Sequence, residues 1–251
     1  MSEEPTLLQT IVKRVILPIP VPLEKIEHVL YINLEKRQDR KKHVEQQLAS
    51  IGLGDCAERF PAICLKDGRV GCTMSHLKCL QTAKERNWSH VFICEDDVLF
   101  LNPNLLKENI AKFLSNEVKW DVLLIGGNNV PPYKRVAPEY IKVGKCQTTT
   151  GYIVQAHYYD KLIQNIREGM QLLMKHPEKH FHYAIDKYWF DLQEKDSWFL
   201  ITPLTVTQKD DYSDIEKRRT NYKHLMLDLD KPWLASPQNV FQLMKNYKQT
   251  I

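Results

Sequence analysis

At 251 residues the chain is long enough for one large α/β domain or two small ones, and its 43% hydrophobic and 26% charged content is ordinary for a globular protein. A formal net charge of +4 is too mild for a dedicated nucleic-acid binder, which would cluster Lys and Arg with aromatics on one face, but it suits an anionic small ligand. The six cysteines show no C-x-x-C pair and no zinc-like spacing, which points to buried free thiols in a reducing compartment.

In chain order, the N-terminus opens acidic (Met1-Ser2-Glu3-Glu4-Pro5) without an apolar signal core. The stretch from Val15 to Pro22 is too short and proline-rich to span a membrane. With no KDEL-like tail either, a cytoplasmic chain of bacterial or viral type is expected. Residues 1–25 predict an extension on a polyproline-like path, and residues 26–251 a single domain without internal repeats. The run from His28 to Leu34 predicts the first core strand. The polar turn 35–40 leads into a helix that stops at Gly52, with Val44 and Leu48 on one face. A second strand is expected at 59–63, closed by the turn Lys66-Asp67-Gly68. Helices over 70–86 and 104–115 bracket the apolar strand Val91-Phe92-Ile93-Cys94, and another strand runs from Asp121 to Gly127.

Past the loop at Val130-Pro131-Pro132 the pattern turns mixed. Antiparallel strands are expected at 140–143 and 148–154, helices over 158–173 and 183–192, and a strand at Trp198-Phe199-Leu200-Ile201. This alternation predicts an α/β fold: a mostly parallel sheet flanked by helices, with a mixed C-terminal half. Such sheets bind ligands at the carboxyl ends of their strands. Arg37, Glu95–Asp97 and Gly126–Asn128 are all expected there.

Glu95-Asp96-Asp97 is the most informative stretch, because three like charges at the end of a core strand are unfavourable unless a cation or a ligand compensates them. Extended backbone would put Glu95 and Asp97 on one face and Asp96 on the other. The pair Glu95 and Asp97 would then form a half-site for a hard divalent ion such as Mg2+ or Mn2+. A solvated acidic loop is the alternative.

Six pieces follow one another along most of the chain: Tyr31-Ile32-Asn33-Leu34 with Arg37 and Asp39-Arg40; Gly71-Cys72-Thr73-Met74-Ser75-His76; Glu95-Asp96-Asp97; Gly151-Tyr152-Ile153; Ala184-Ile185-Asp186; and Ser213-Asp214-Ile215-Glu216. In this order they resemble glycosyltransferase family 25, the group of bacterial lipooligosaccharide galactosyltransferases and procollagen galactosyltransferases. The resemblance implies a GT-A type fold, a UDP-sugar donor (most often UDP-galactose), Mn2+ or Mg2+, and inversion at the anomeric carbon. It also implies an acceptor hydroxyl on a glycan, a lipid-linked sugar or a protein side chain, while the mild charge and the short apolar runs predict no nucleic-acid partner and no transmembrane segment.

The residue chemistry accords with those implications. A metal held by Glu95 and Asp97 would neutralise charge on a departing diphosphate; Glu95 could also reach the donor, and Asp96 could reach either ribose or the metal. Arg37 and Arg40 carry guanidinium forks suited to phosphate or pyrimidine oxygens. Asp39 is either a ribose or uracil acceptor or a helix N-cap. His76 is either a donor-site residue or one that orients others, and Ser75 lacks a base to make it a nucleophile. Inverting transfer needs a base for the acceptor hydroxyl, and Asp186 is the candidate, although a first-turn helical acid needs no such role. Gly151 and Tyr152 would let backbone approach the donor sugar. Gln208 is the candidate third metal ligand, and the late cluster Gln208, Asp210, Asp211 and Asp214 would close over the diphosphate or complete the metal shell, with Asp214 the candidate donor contact. Tyr188, Trp189 and Trp198 are either a sugar-stacking wall or core. Two other readings compete: an inactive glycosyltransferase fold used for binding, and a metal-dependent phosphoester hydrolase.

Overall fold

The structure, a computed structural model, describes residues 23–235. The expected extension over 1–25 falls mostly outside them, and its described end, Leu23–Lys25, makes one 3-10 turn. The first half contains β1 (Val29–Asn33), α1 (Gln38–Ser50), β2 (Ala57–Pro61), α2 (Gly68–Glu85), β3 (His90–Glu95), β4 (Val98–Phe100), α3 (Pro103–Ser115) and β5 (Val122–Val130). The second contains β6 (Lys134–Ala137), β7 (Tyr140–Lys142), β8 (Lys145–Gln155), α4 (Tyr159–Lys175), α5 (His180–Tyr183), α6 (Ile185–Tyr188), α7 (Phe190–Lys195) and β9 (Trp198–Ile201). Three short strands, β10 (Val206–Gln208), β11 (Asp211–Ser213) and β12 (Arg218–Thr220), and the helix α8 (Lys223–Met226) complete it.

Eight strands make one sheet in the order β2-β1-β3-β8-β5-β9-β7-β6. β2, β1 and β3 are mutually parallel, as are β5 and β9. β8 lies antiparallel between β3 and β5, and β7 antiparallel between β9 and β6. All but β7 and β8 therefore point the same way, and the α/β class with a mostly parallel sheet is as expected. The mixed half does not stand apart from that sheet, because its strands complete it.

Both sheet faces are buried by alternation. Leu30, Ile32, Ile93, Leu124, Tyr152 and Val154 face one layer, where they meet Leu77 and Leu80 of α2 and Leu162, Ile166 and Leu173 of α4. Their strand neighbours Val29, Tyr31, Phe92, Cys94, Leu123 and Ile153 face the other, with Val44 and Leu48 of α1 and Leu106, Ile110 and Phe113 of α3. Local signals set the helix starts. Asp67 caps α2 by accepting the Arg69 N–H at 2.9 Å, and Asn102 caps α3, whose first residue is a proline. The single helix expected over 183–192 is instead α6 and α7, preceded by α5. Ala184 takes an extended ψ of 147° between α5 and α6, which interrupts the run.

Four features shape the end of the sheet where β1 and β3 finish. Because β8 runs backwards, its beginning, not its end, lies there, so Thr148 and Thr149 arrive beside Glu95. The strand expected to stop at Gly127 continues to Val130, with pairing irregularities between Leu124 and Asn128. Gly126 lets β10 cross close by, since a Cβ there would sit 2.7 Å from the Val206 side chain. β10 pairs with β4 and so delivers Gln208 to the same region. Finally, Gly71 allows the segment after β2 to lie against α2: an added Cβ would meet the Ile63 carbonyl at 2.4 Å.

Candidate functional site

A cavity of about 500 Å³ opens at this end, walled by the residues after β1, the first turns of α2, the end of β3, the start of β8, α6 and the β11–β12 hairpin. Arg37, Arg40, His76, Glu95, Asp96, Asp97, Asp186, Gln208 and Asp214 all line it. Residues drawn from across nearly 180 positions of sequence thus meet in one place.

The acidic triplet does not keep the alternation of a strand. β3 ends at Glu95, and Asp96 and Asp97 form a turn before β4, so Glu95 and Asp97 are not the matched pair expected from extended backbone. Asp96 and Asp97 instead share one cation. Nη1 of Arg40 donates to Asp96 Oδ1 at 3.0 Å and to Asp97 Oδ2 at 3.1 Å. Asn33 completes the shell of Asp96 with an amide donor at 2.7 Å. Burial still raises the Asp96 carboxyl above its ordinary value. For Asp97, burial and the neighbouring Glu95 charge push it up to about 8. Asp97 Oδ1 is buried without a hydrogen-bond partner.

Glu95 turns toward Thr149, Gln208 and His76. Thr149 Oγ1 donates to its Oε1 and Gln208 Nε2 to its Oε2, at 2.9 Å for the amide. His76 Nε2 lies 3.4 Å from Oε1. Burial opposes ionisation, but His76, Thr149 and Arg40 outweigh it and hold this carboxyl below its ordinary value. Gln208 meets Glu95 through its amide nitrogen, which cannot ligate a metal, so its placement is that of a donor to Glu95. The donor set still fits a hard divalent ion, because the orphaned Asp97 oxygen and the neighbouring carboxylates are hard ligands.

A second charged group forms the rim. Arg37 donates to Asp211 at 2.6 Å, to Asp214 at 2.9 Å and to both Asp39 oxygens. Arg40 also reaches Asp211 and the Tyr212 carbonyl. Lys36 pairs with Asp214 at 2.8 Å, and Arg69 of α2 with Glu216 at 2.8 Å. These contacts tie the β11–β12 hairpin across the cavity mouth. Burial works against the charges of Asp211 and Asp214, but the cationic and backbone donors around them keep both carboxyls low. Asp39 sits in the first turn of α1, forks with Arg37 and does not line the cavity. It is not a side-chain N-cap either, since Arg37 occupies that position.

Across the cavity, Asp186 of α6 accepts the Thr148 N–H at 3.1 Å. Thr148 has φ of 75°, a left-handed conformation costly for a β-branched residue and retained where the surroundings fix it. Beside Asp186, burial lowers the Lys187 ammonium below its ordinary value.

Several expected residues lie elsewhere. Gly151 faces the core: an added Cβ would meet Ile125 at 2.8 Å and Phe92 at 3.3 Å, so its lack of a side chain serves sheet packing and not a donor sugar. Tyr152 is fully buried, and its hydroxyl meets His76 Nδ1 at 2.9 Å. Trp189 and Trp198 are core residues stacked edge to face at 5.2 Å, and Tyr188 packs over Gly169. Ser75 Oγ is spent on the Gly71 carbonyl and the Ile63 N–H. Asp210 pairs outward with Arg219. Residues given no role from sequence are Asn33, Thr149 and the tether pair Arg69–Glu216. Asn33 was within reach of sequence reasoning, being a polar residue in a strand of apolar ones. Thr149 was not, because its role depends on the direction of β8.

The family profile described as "Glycosyltransferase family 25 (LPS biosynthesis protein)" matches residues 58–189, more than half of the chain. The chain belongs to glycosyltransferase family 25. The match takes in α2, the acidic triplet and Asp186. Among family 25 relatives, a "Glycosyltransferase 25 family member" from Drosophila melanogaster is 23% identical over 207 residues, covering 64% of this chain and 33% of the relative. A "Putative glycosyltransferase" from Haemophilus influenzae is 24% identical over 168 residues, covering 55% of this chain and 58% of its own. The chain thus spans about a third of the Drosophila relative it matches. A solved glycosyltransferase involved in glycosylating the major capsid of PBCV-1 aligns with 70% of this chain and 92% of its own, at 13% identity and a TM-score of 0.39, a likeness too slight to bear on function. No described helix is long and apolar enough to cross a membrane.

Proposed function

We propose that this family 25 chain, with residues 26–251 as its catalytic domain, moves a hexose, galactose or glucose, from a UDP-sugar to a hydroxyl of a glycan, a lipid-linked sugar or a protein side chain, with inversion. The observation that carries the reading is the pairing, in one cavity, of a buried partnerless Asp97 oxygen beside Arg40 with a carboxylate, Asp186, on the far wall. Arg37 and Arg40 hold the diphosphate oxygens. Asp97 with Glu95 holds Mn2+ or Mg2+, which when bound supplies Lewis-acid stabilisation of the leaving diphosphate. Asp186 takes the proton of the acceptor hydroxyl as it attacks. Among the described residues one Asp186 oxygen accepts the Thr148 N–H and the other accepts no hydrogen bond, which leaves it available for this.

Incubation with UDP-galactose or UDP-glucose and Mn2+, with free UDP as readout and sugars, glycans and hydroxylysine as acceptors, tests the reading. UDP release that needs both metal and acceptor is expected, and no UDP release or thermal shift with any nucleotide sugar would overturn it. Asp186→Asn is expected to lower turnover by about 10²–10⁴-fold while leaving UDP binding intact. Full activity in that variant removes Asp186 from the role.

A further inference from the structure

Cys72 and His76 lie one helical turn apart on α2, so both face the end of β3. Cys72 Sγ is 3.9 Å from Glu95 Oε1, and His76 Nε2 is 3.4 Å from the same oxygen. The three ligand atoms all fall within 4.8 Å of one another. These separations are those of donors surrounding a single ion at the ~2.0–2.3 Å bond lengths of zinc.

The histidine supplies the independent observation. His76 is fully buried, and its Nε2 has no hydrogen-bond partner. At 3.4 Å the Glu95 oxygen is too distant and misaligned to serve as one. The other ring nitrogen, Nδ1, is engaged by the Tyr152 hydroxyl at 2.9 Å. When Nδ1 carries the proton and donates it to that hydroxyl, Nε2 presents a bare lone pair toward Cys72 and Glu95. This is how histidine ligands are oriented in metal sites. All three residues line the cavity, which gives an ion a path from solvent.

We infer that Cys72, His76 and Glu95 form a site for a borderline-soft divalent cation of the Zn2+ class, one that shares Glu95 with the oxygen set at Asp97 and differs from it by its thiolate and imidazole donors. A thiolate and an imidazole select zinc over magnesium, which prefers oxygen. Binding releases the Cys72 thiol proton to solvent and leaves Sγ, Nε2 and Oε1 as three protein ligands, with the fourth position open to the cavity. The inference stands on this geometry whether or not the chain transfers a sugar.

The test uses the full chain, reduced and stripped of metal by a chelator. Titration with Co2+ is expected to give one equivalent with a thiolate-to-cobalt charge-transfer absorption, and Zn2+ displaces it while Mg2+ at equal concentration does not. Cys72→Ser abolishes that absorption, and Cys64→Ser, which alters an exposed thiol, leaves it unchanged. Tyr152→Phe weakens Zn2+ binding by about 10–100-fold through loss of the orienting hydroxyl. Circular dichroism confirms that each variant is folded. Should His76→Ala fail to fold, Cys72→Ser decides alone, because Cys72 is only partly buried. No charge-transfer absorption in the wild-type chain, its persistence in Cys72→Ser, or its loss in Cys64→Ser would overturn the site.

Discussion

Glu95 takes hydrogen bonds from Thr149 and Gln208 and lies beside His76, whereas Asp97 next to it shares the single guanidinium of Arg40 with Asp96. The consequences run in opposite directions: the Glu95 carboxyl is held low, and that of Asp97 is pushed up to about 8. Consecutive acids in a sequence are therefore not equivalent acids in a fold. Close contacts to His76 and Thr149, with the Arg40 charge nearby, keep one buried carboxylate ionised, while a guanidinium divided between two carboxylates leaves an oxygen of the other unserved.

The largest test of this contrast is Arg40→Met, which leaves Asp96, Asp97 and Asp211 without their common partner. It is expected to cost about 3–5 kcal/mol of stability, read by chemical denaturation at neutral pH. A loss below ~1 kcal/mol would mean that Arg40 is not the main compensation.

The next effect is a dependence on pH, of the order of a few kcal/mol. Folded Asp97 keeps a proton that the unfolded chain has already released above its ordinary value of 3.8. The folded state therefore loses stability as pH rises from about 4 to about 8, and the loss is complete above that. Asp97→Asn should remove most of the slope, the raised Asp96 carboxyl retaining the rest, and saturating Mg2+ or Mn2+ should flatten it as well. Glu95 acts with the opposite sign: its contribution is present above its ordinary value of 4.5 and is lost as pH falls below it. A wild-type profile level from pH 4 to pH 8 contradicts the assignment for Asp97.

Thr149→Val removes one donor to Glu95 and leaves the others in place. A loss of about 1.5–3 kcal/mol is expected, as for a hydrogen bond to a charged group, together with a rise in the Glu95 carboxyl that NMR titration would detect. Asp214→Asn is the smallest change. Its partners Lys36 and Arg37 sit at the rim, and a stability change below ~1 kcal/mol is expected.

Much of this site was legible because short-range sequence rules reached it. The apolar run before Glu95, the carboxyl-end rule for Arg37 and Arg40, and the ordered family motifs placed Asp186 and Asp214 in one cavity without coordinates. What the sequence could not carry was strand direction and register. The antiparallel insertion of β8 between β3 and β5 puts Thr149 on Glu95 and turns Gly151 toward Phe92, and both facts follow from pairings about 60 residues apart. The same limit explains Gln208, whose arrival depends on β10 crossing Gly126. The late aromatics failed for another reason: composition does not say which face of a chain segment is core, and Trp189 and Trp198 proved to be core.

The ties that hold the β11–β12 hairpin have a consequence for any anion that enters the cavity. Asp211 and Asp214 already stand where phosphate oxygens would be welcome, on the guanidinium of Arg37. A diphosphate held by Arg37, as proposed, would compete with the hairpin for one cation, and by reciprocity whatever tightens the strap would loosen that guest to the same degree. The hairpin acids occupy the Arg37 guanidinium, and an anion bound there would take their place.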